Sequence, residues 1–320
     1  MEHAPMKKKI IIDCDVGVDD ALALILAFHS PELEVKAVTA VNGNVPLDRV
    51  FINIQKVLSL IQPQQLPIIA RGADRPLQGE PRYSHWVHGE DGLGEARIAQ
   101  RDGKEWWQVF SGRADELITQ MARQYPGEIT LIALGPLTNL AFGLQKDPEA
   151  MRQLKDVVVM GGAVRVPGNV TAYAEFNIHA DPLAAKIVFE SGLQIALVPL
   201  DVTHQVFLSR RLIEGRVKPF HDPFSQFVVE ATGYDFQQGK FRAGAKVFHL
   251  HDPLAVGAVI DPHLVRKDRL SISVEAQEGE RYGQTLEYTG EGAPDSPKLD
   301  VCLGVKSEKF LELFLSRLRG

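Results

Sequence analysis

The sequence predicts an α/β fold: a mostly parallel central sheet covered by helices on both faces, with a small antiparallel element at one edge. Two observations carry this. Up to about residue 200, short apolar β-branched runs alternate with stretches of helical apolar period, the pattern of strands joined by right-handed helical crossovers. Beyond Pro262 the period shortens to alternation, as expected of antiparallel strands with one face in water.

Residues 9–13 form a β-branched run ending in acids, and residues 20–28 show a helical apolar pattern closed by Ser30-Pro31. Residues 33–41 are the next strand, and Val50, Ile54, Val57, Leu58 and Ile61 mark one face of a helix. Residues 66–70 give a third strand. Residues 129–134 form a buried strand leading through Gly135-Pro136 into a helix from about Thr138, and residues 157–160 another, ended by Gly161-Gly162. A helix begins at Asp181-Pro182, followed by a strand over 195–200. Alternation over 270–274, 282–288 and 299–305 supplies the antiparallel element before an amphipathic helix over 308–318. Residues 83–112, polar and aromatic with poor periodicity, and 207–248, helical but interrupted, are the expected insertions and lid candidates within one domain spanning 1–320.

With 45% hydrophobic and 24% charged residues, the chain has the composition of an ordinary globular protein. A net charge of -6, with no basic run beyond Lys7-Lys8-Lys9, argues against a nucleic-acid polymer as partner. Two distant cysteines, Cys14 and Cys302, make no disulfide framework and fit a reducing compartment. No apolar run reaches the roughly 18 residues of a membrane span, and the first nine residues lack the apolar stretch of a signal peptide. The expectation is a cytoplasmic protein with no membrane partner.

The most informative segment is DCDVGVDD, where Asp13, Asp15, Asp19 and Asp20 crowd one strand-to-helix loop. A helix N-terminus can absorb one or two carboxylates by capping and through its dipole, but four repel one another. Oxygen ligands without His or Cys suit a hard cation such as Ca²⁺ or Mg²⁺.

DCDVGVDDALAL resembles the N-terminal signature of the inosine-uridine preferring nucleoside hydrolases, usually Asp-Thr/Cys-Asp-Pro-Gly followed by an Asp pair. VNGN (41–44), HGEDGLG (88–94), GPLTN (135–139), MGG (160–162), AEFN (174–177), LDVTH (200–204) and HDP (251–253) resemble family blocks in family order, from about residue 8 to the end. The resemblance implies a Rossmann-type open sheet and a Ca²⁺-dependent ribonucleoside hydrolase of two or four copies. It implies Ca²⁺ ligands at Asp15, Asp20, Asp252 and the backbone carbonyl of Leu134, with Asp15 also as general base. Ribose contacts fall on Asp19, Asn44, Glu175 and Asn177, with Met160 and Asn169 near the sugar. Two departures stand out: Val16 replaces the usual Pro, and residues 233–250, which carry leaving-group contacts in the family, match poorly.

Hydrolysis of an N-glycosidic bond needs a nucleophilic water, a cradle for the sugar cation and help for the departing base, and the acids and amides above supply the first two. Among the histidines, His251 is the leading candidate for the leaving-group acid and His88 the next, also facing the substrate, ahead of His249 and His204. Trp86, Tyr234 and Phe241 are candidates for stacking on a base.

Plainer roles compete. Asp13 reads as a structural turn residue; Asp19 and Asp20 as a helix cap and first-turn acid; Asp252-Pro253 as an N-cap with Pro at the first helical position, one of five Asp-Pro pairs in the chain; Asn44 and Asn169 as turn residues; and Met160 as core. Glu175 and Asn177, two apart, would point the same way from an extended segment. Two other functions fit parts of the pattern. A haloacid-dehalogenase-like phosphohydrolase also opens with Asp-x-Asp after a strand, but no late Gly-Asp-x-x-x-Asp supplies its second acidic site. A non-catalytic nucleoside-binding protein would be expected to lack Asp15, Asp20 or Asp252, and all three are present.

Overall fold

The computed structural model describes residues 7–98, 104–238, 247–288 and 297–318. The chain runs β1 (Lys8–Cys14), α1 (Val18–Phe28), β2 (Leu33–Ala40), α2 (Leu47–Ile61), β3 (Ile68–Arg71), α3 (His85–His88), β4 (Gln108–Arg113), α4 (Ala114–Gln124), β5 (Ile129–Ala133) and α5 (Thr138–Lys146). There follow α6 (Pro148–Met151), β6 (Asp156–Met160), α7 (Phe176–Ala180), α8 (Pro182–Phe189), β7 (Ile195–Val198), α9 (Leu200–Thr203) and β8 (Phe207–Ser209). The rest is α10 (Arg210–Leu212), α11 (Pro223–Gln238), β9 (Val247–His249), α12 (His251–Ile260), β10 (Val265–Val274), β11 (Thr285–Glu287), β12 (Lys298–Val305) and α13 (Ser307–Arg317).

Ten strands make one sheet in the order β11-β10-β12-β7-β6-β5-β1-β2-β3-β4. From β12 to β4 neighbouring strands pair parallel, while β10 pairs antiparallel with both β12 and β11, so the antiparallel element sits at one edge as predicted. Apolar side chains of the inner strands pack on both faces. Ile10 and Ile12 of β1 join a core shared with α1, α2, α12 and α13, whereas Ile11 joins the opposite core with α4, α5 and α8. Helix α1 is buried from Val18 to Ala27, consistent with its nearly uniform apolarity, and packs against α12.

The strand order reverses at β1, which lies between β5 and β2. In open parallel sheets such a reversal leaves a crevice beyond the carboxyl ends of the strands. Here the loop after β1 and the turn after β5 face one another, joined by Leu134 N–H donating to the Asp13 carbonyl at 2.8 Å.

The insertions differ from expectation. Residues 83–112 end in β4, a strand at the sheet edge, and α4 follows directly. The 207–248 segment holds α11, but β8 and β9 close it as a two-stranded antiparallel ladder, Phe207 opposite His249. The strand expected at 66–70 runs Ile68–Arg71, and that at 282–288 is only Thr285–Glu287. The two insertions also meet. Gly94 packs so tightly on α11 that a Cβ there would lie 2.3 Å from the Ala231 carbonyl, and Arg97 N–H donates to Glu230 Oε2 at 2.9 Å.

Candidate active site

The crevice is a cavity of about 420 Å³, lined by Asp19, Asn44, His88, Leu134, Met160, Asn169, Glu175, Asn177, His251 and Asp252, all singled out in the sequence. Its size is that of a small-molecule site, roughly 300–1,000 Å³. Trp86, His204 and His249 also line it. Tyr234 is not among the lining residues, and Phe241 lies outside the described residues.

Asp19 and Asp252 line the cavity, and Asp15 and Asp20 are fully buried behind them. Asp19, Asp20 and Asp252 each offer an oxygen within 4.8 Å of the others, a cluster able to hold a metal ion. Asp15 is buried beside them, between two glycines. A Cβ at Gly43 would lie 2.0 Å from Asp15 Oδ2, and one at Gly135 would lie 2.9 Å from Asp15 Oδ1, which accounts for the glycines of VNGN and GPLTN. Asn44 N–H donates to Asp15 Oδ2 at 2.6 Å, while Asp15 Oδ1 is buried with no donor among the described residues. An orphaned carboxylate oxygen beside three clustered acids is what a cation site requires.

Burial, and then the charge of Asp20, push the Asp15 carboxyl well above the usual carboxylate range. The same two causes raise Asp19 to about 8. Burial, followed by Asp19, Asp20 and Asp15, raises Asp252 strongly. Asp20 rises only to about 6, because N–H groups of Gly17 and Asp15 oppose its burial. Those bonds, 2.8 Å from Gly17 and 3.3 Å from Asp15, fold the loop back on the first turn of α1, so Asp20 is a cap as well as a member of the cluster. A positive ion is the partner that would let four such carboxyls ionise together.

Asp13 is built into the sheet through one oxygen, and its Oδ2 is buried with no partner among the described residues. Its Oδ1 accepts from Thr39 Oγ1 at 2.5 Å and Asn139 Nδ2 at 2.8 Å, tying β1 to β2 and α5, and burial raises its carboxyl to about 7. At the Val16 position, Asn53 Nδ2 holds the Val16 carbonyl at 3.2 Å.

Glu175 and Asn177 do not lie on an extended segment. Glu175 is the N-cap of α7, accepting from Asn177 N and Ile178 N at 2.9 and 3.2 Å and from Gly162 N at 2.9 Å. Both still line the cavity because α7 starts at its wall. Asn177 Nδ2 donates to the Leu134 carbonyl at 2.6 Å and to the Met160 carbonyl at 3.2 Å, so it fixes that carbonyl while leaving a second lone pair. Asn169 Oδ1 accepts from Phe176 N at 3.0 Å. Asn44 is more than a turn residue: Nδ2 donates to Asp20 Oδ2 at 3.2 Å, and Oδ1 accepts from Ser84 Oγ at 2.5 Å. Asp252 falls in the first turn of α12, which starts at His251, rather than at its N-cap.

Three imidazoles gather on the cavity wall. The rings of His204, His249 and His251 lie 5.1 to 5.7 Å apart. Burial, then His249, His204 and His88, hold His251 well below the usual histidine range, so the ring is neutral at neutral pH. His88 is lowered to about 3, first by burial, and its Nδ1 accepts from Val18 N at 3.1 Å, leaving Nε2–H for the cavity.

A sequence profile described as inosine-uridine preferring nucleoside hydrolase matches residues 10–312. The chain belongs to this family. The pyrimidine-specific ribonucleoside hydrolase RihA of Salmonella paratyphi B is 35% identical over 315 residues, covering 98% of this chain and 99% of the relative. The inosine-uridine preferring nucleoside hydrolase of Crithidia fasciculata is 35% identical over 322 residues, 98% of each chain. Among solved structures, the plant nucleoside hydrolase PpNRh1 superposes with a TM-score of 0.90 at 32% identity, covering 98% of this chain and 99% of that one. A purine-preferring ribonucleoside hydrolase from Gardnerella vaginalis gives 0.88 at 29% identity, covering 97% and 98%. This nucleoside hydrolase is therefore an enzyme that cleaves N-glycosyl bonds of ribonucleosides, and the phosphohydrolase reading falls.

Proposed function

We propose that this nucleoside hydrolase works with Ca²⁺ held by Asp15, Asp20, Asp252 and the Leu134 carbonyl, with Asp15 as the general base. The observation that carries the proposal is the unpartnered Asp15 Oδ1 beside a three-carboxylate cluster of which Asp19 and Asp252 reach the cavity. The donors are all oxygen, as a hard cation prefers. When bound, the ion supplies Lewis acidity that eases loss of a proton from the attacking water.

The chain's own groups do the rest. Asp15 takes the proton of the water as its oxygen bonds to C1′ of the ribose. Asp19, Asn44, Asn169, Glu175 and Asn177 meet the hydroxyls, with Met160 against the sugar, and their carboxylates stabilise the positive charge that grows on the ring. The C1′–N bond breaks and its electron pair passes to the base, whose ring nitrogen accepts a hydrogen bond from His251 Nε2–H, with His88 Nε2–H as a second donor in the cavity, and the departing base takes its proton from water. Two free buried cysteines support a reducing, cytoplasmic setting. A homodimer or homotetramer is carried forward from the family resemblance, to be read by light scattering.

A panel of inosine, adenosine, guanosine, uridine and cytidine, read as ribose released, tests the substrate class and ranks the bases. Tight binding of these nucleosides without release of ribose would overturn the catalytic assignment.

A further inference from the structure

We infer that Thr203 is a positioning residue for the leaving-group histidine: its hydroxyl, behind the cavity wall, holds His251 Nδ1 and turns Nε2 toward the departing base. The inference rests on the role proposed above for His251. Thr203 Oγ1 lies 2.7 Å from His251 Nδ1. Thr203 is fully buried and is not among the residues lining the cavity, whereas His251 is. With Nδ1 engaged behind the wall, Nε2 is the nitrogen left for the substrate.

The hydroxyl is also compatible with the tautomer that donates to a base. When Thr203 donates to Nδ1, the neutral ring bears its hydrogen on Nε2, the tautomer that can donate to a base. When the ring is doubly protonated, the hydroxyl can rotate and accept from Nδ1–H instead, so it serves the neutral and the charged ring. A methyl in its place could do neither.

The local fold explains the placement. Thr203 ends α9, the short helix of the LDVTH block, just after β7. Asp201 of that block accepts from Val164 N and Arg165 N at 2.9 and 2.8 Å, pinning the loop that leads to Asn169, and His204 lines the cavity. The block thus buttresses both ends of the site, and Thr203 is its link to α12.

The test uses calcium-loaded enzyme and two substrates that share ribose: a natural nucleoside, and p-nitrophenyl riboside, whose leaving group departs without protonation. Thr203→Val keeps the shape and removes the hydroxyl. It should lower kcat/KM on inosine or uridine by about 10- to 100-fold, the scale of a misplaced catalytic group, and leave the p-nitrophenyl substrate nearly unchanged. Thr203→Ser should restore the nucleoside rate, and thermal midpoints report whether each variant folds. His251→Ala is run alongside. If it is selective for natural nucleosides and Thr203→Val is not, the inference is overturned and the role of His251 stands. Equal losses of His251→Ala on both substrates remove that role, and the inference with it.

Discussion

Gly43→Ala probes how tightly Asp15, the proposed general base, is seated. The added carbon would lie 2.0 Å from Asp15 Oδ2 and 2.7 Å from its Cγ. Even a 3.0 Å separation requires the carboxylate to retreat by about 1 Å, and Gly135, packed against Oδ1, leaves little room on the far side. The 2.6 Å bond from Asn44 N would be lost or bent. A misplacement of about 1 Å in a catalytic group costs on the order of 100-fold, or about 2.7 kcal/mol of barrier. The assay is kcat for inosine and uridine by ribose release, with calcium affinity measured by titration on the same preparations. Gly233→Ala in α11 is the control: no atom approaches its added carbon, and relief of a mid-helix glycine should raise the thermal midpoint by the equivalent of about 0.5–1 kcal/mol. A folded Gly43→Ala enzyme with near wild-type kcat would refute the seating of Asp15 as the reason for that glycine.

Prolonged chelation should abolish activity and added Ca²⁺ restore it; full activity in verified metal-free enzyme would sink the metal mechanism. Asp20→Ala should lose calcium binding by isothermal titration, whereas Leu134→Ala, whose carbonyl remains, should keep it. Asp15→Asn should reduce kcat by about 10²–10⁴-fold, with KM moved far less, and near wild-type turnover with metal bound would remove it as base. Burial, and then Arg82, hold His179 down to about 4, against about 6.5 in the unfolded chain. The neutral ring therefore contributes stability above about pH 6.5 that is lost as pH falls toward 4, so His179→Gln should show a smaller drop in thermal midpoint on acidification. An unchanged drop would assign the acid sensitivity elsewhere.

The acidic cluster beside the cavity was legible because four carboxylates within eight residues exceed what a helix start can absorb, even with Asp13 taken up by the sheet. The inner strands were equally plain, since β1, β5 and β6 are buried on both faces and carry continuous apolar runs. The edge was not. β4 has exposed and half-buried positions only, so its sequence lacks the apolar signal that marks its neighbours. β8 and β9 are three residues each and pair across a long gap, and nothing local in either announces a partner. Glu175 and Asn177 both face the cavity, but through a cap and its first turn rather than the extended pair that the spacing suggested. Thr203 carried no signal: a buried hydroxyl on a short helix becomes informative only when the ring it touches is known.

The seam between Gly94 and Ala231 bears on how substrate enters. Segments more than a hundred residues apart in the chain approach backbone to backbone there, with the Arg97–Glu230 bond alongside. The contact leads to the expectation that α11 and the 89–97 loop move together rather than separately, with α3, which packs on α11 and carries Trp86. Trp86 fluorescence and a spin label on α11 should then report a single event with a common rate constant. Loosening the seam at Glu230 would change how often the whole cover opens and leave the acids beside the cavity untouched.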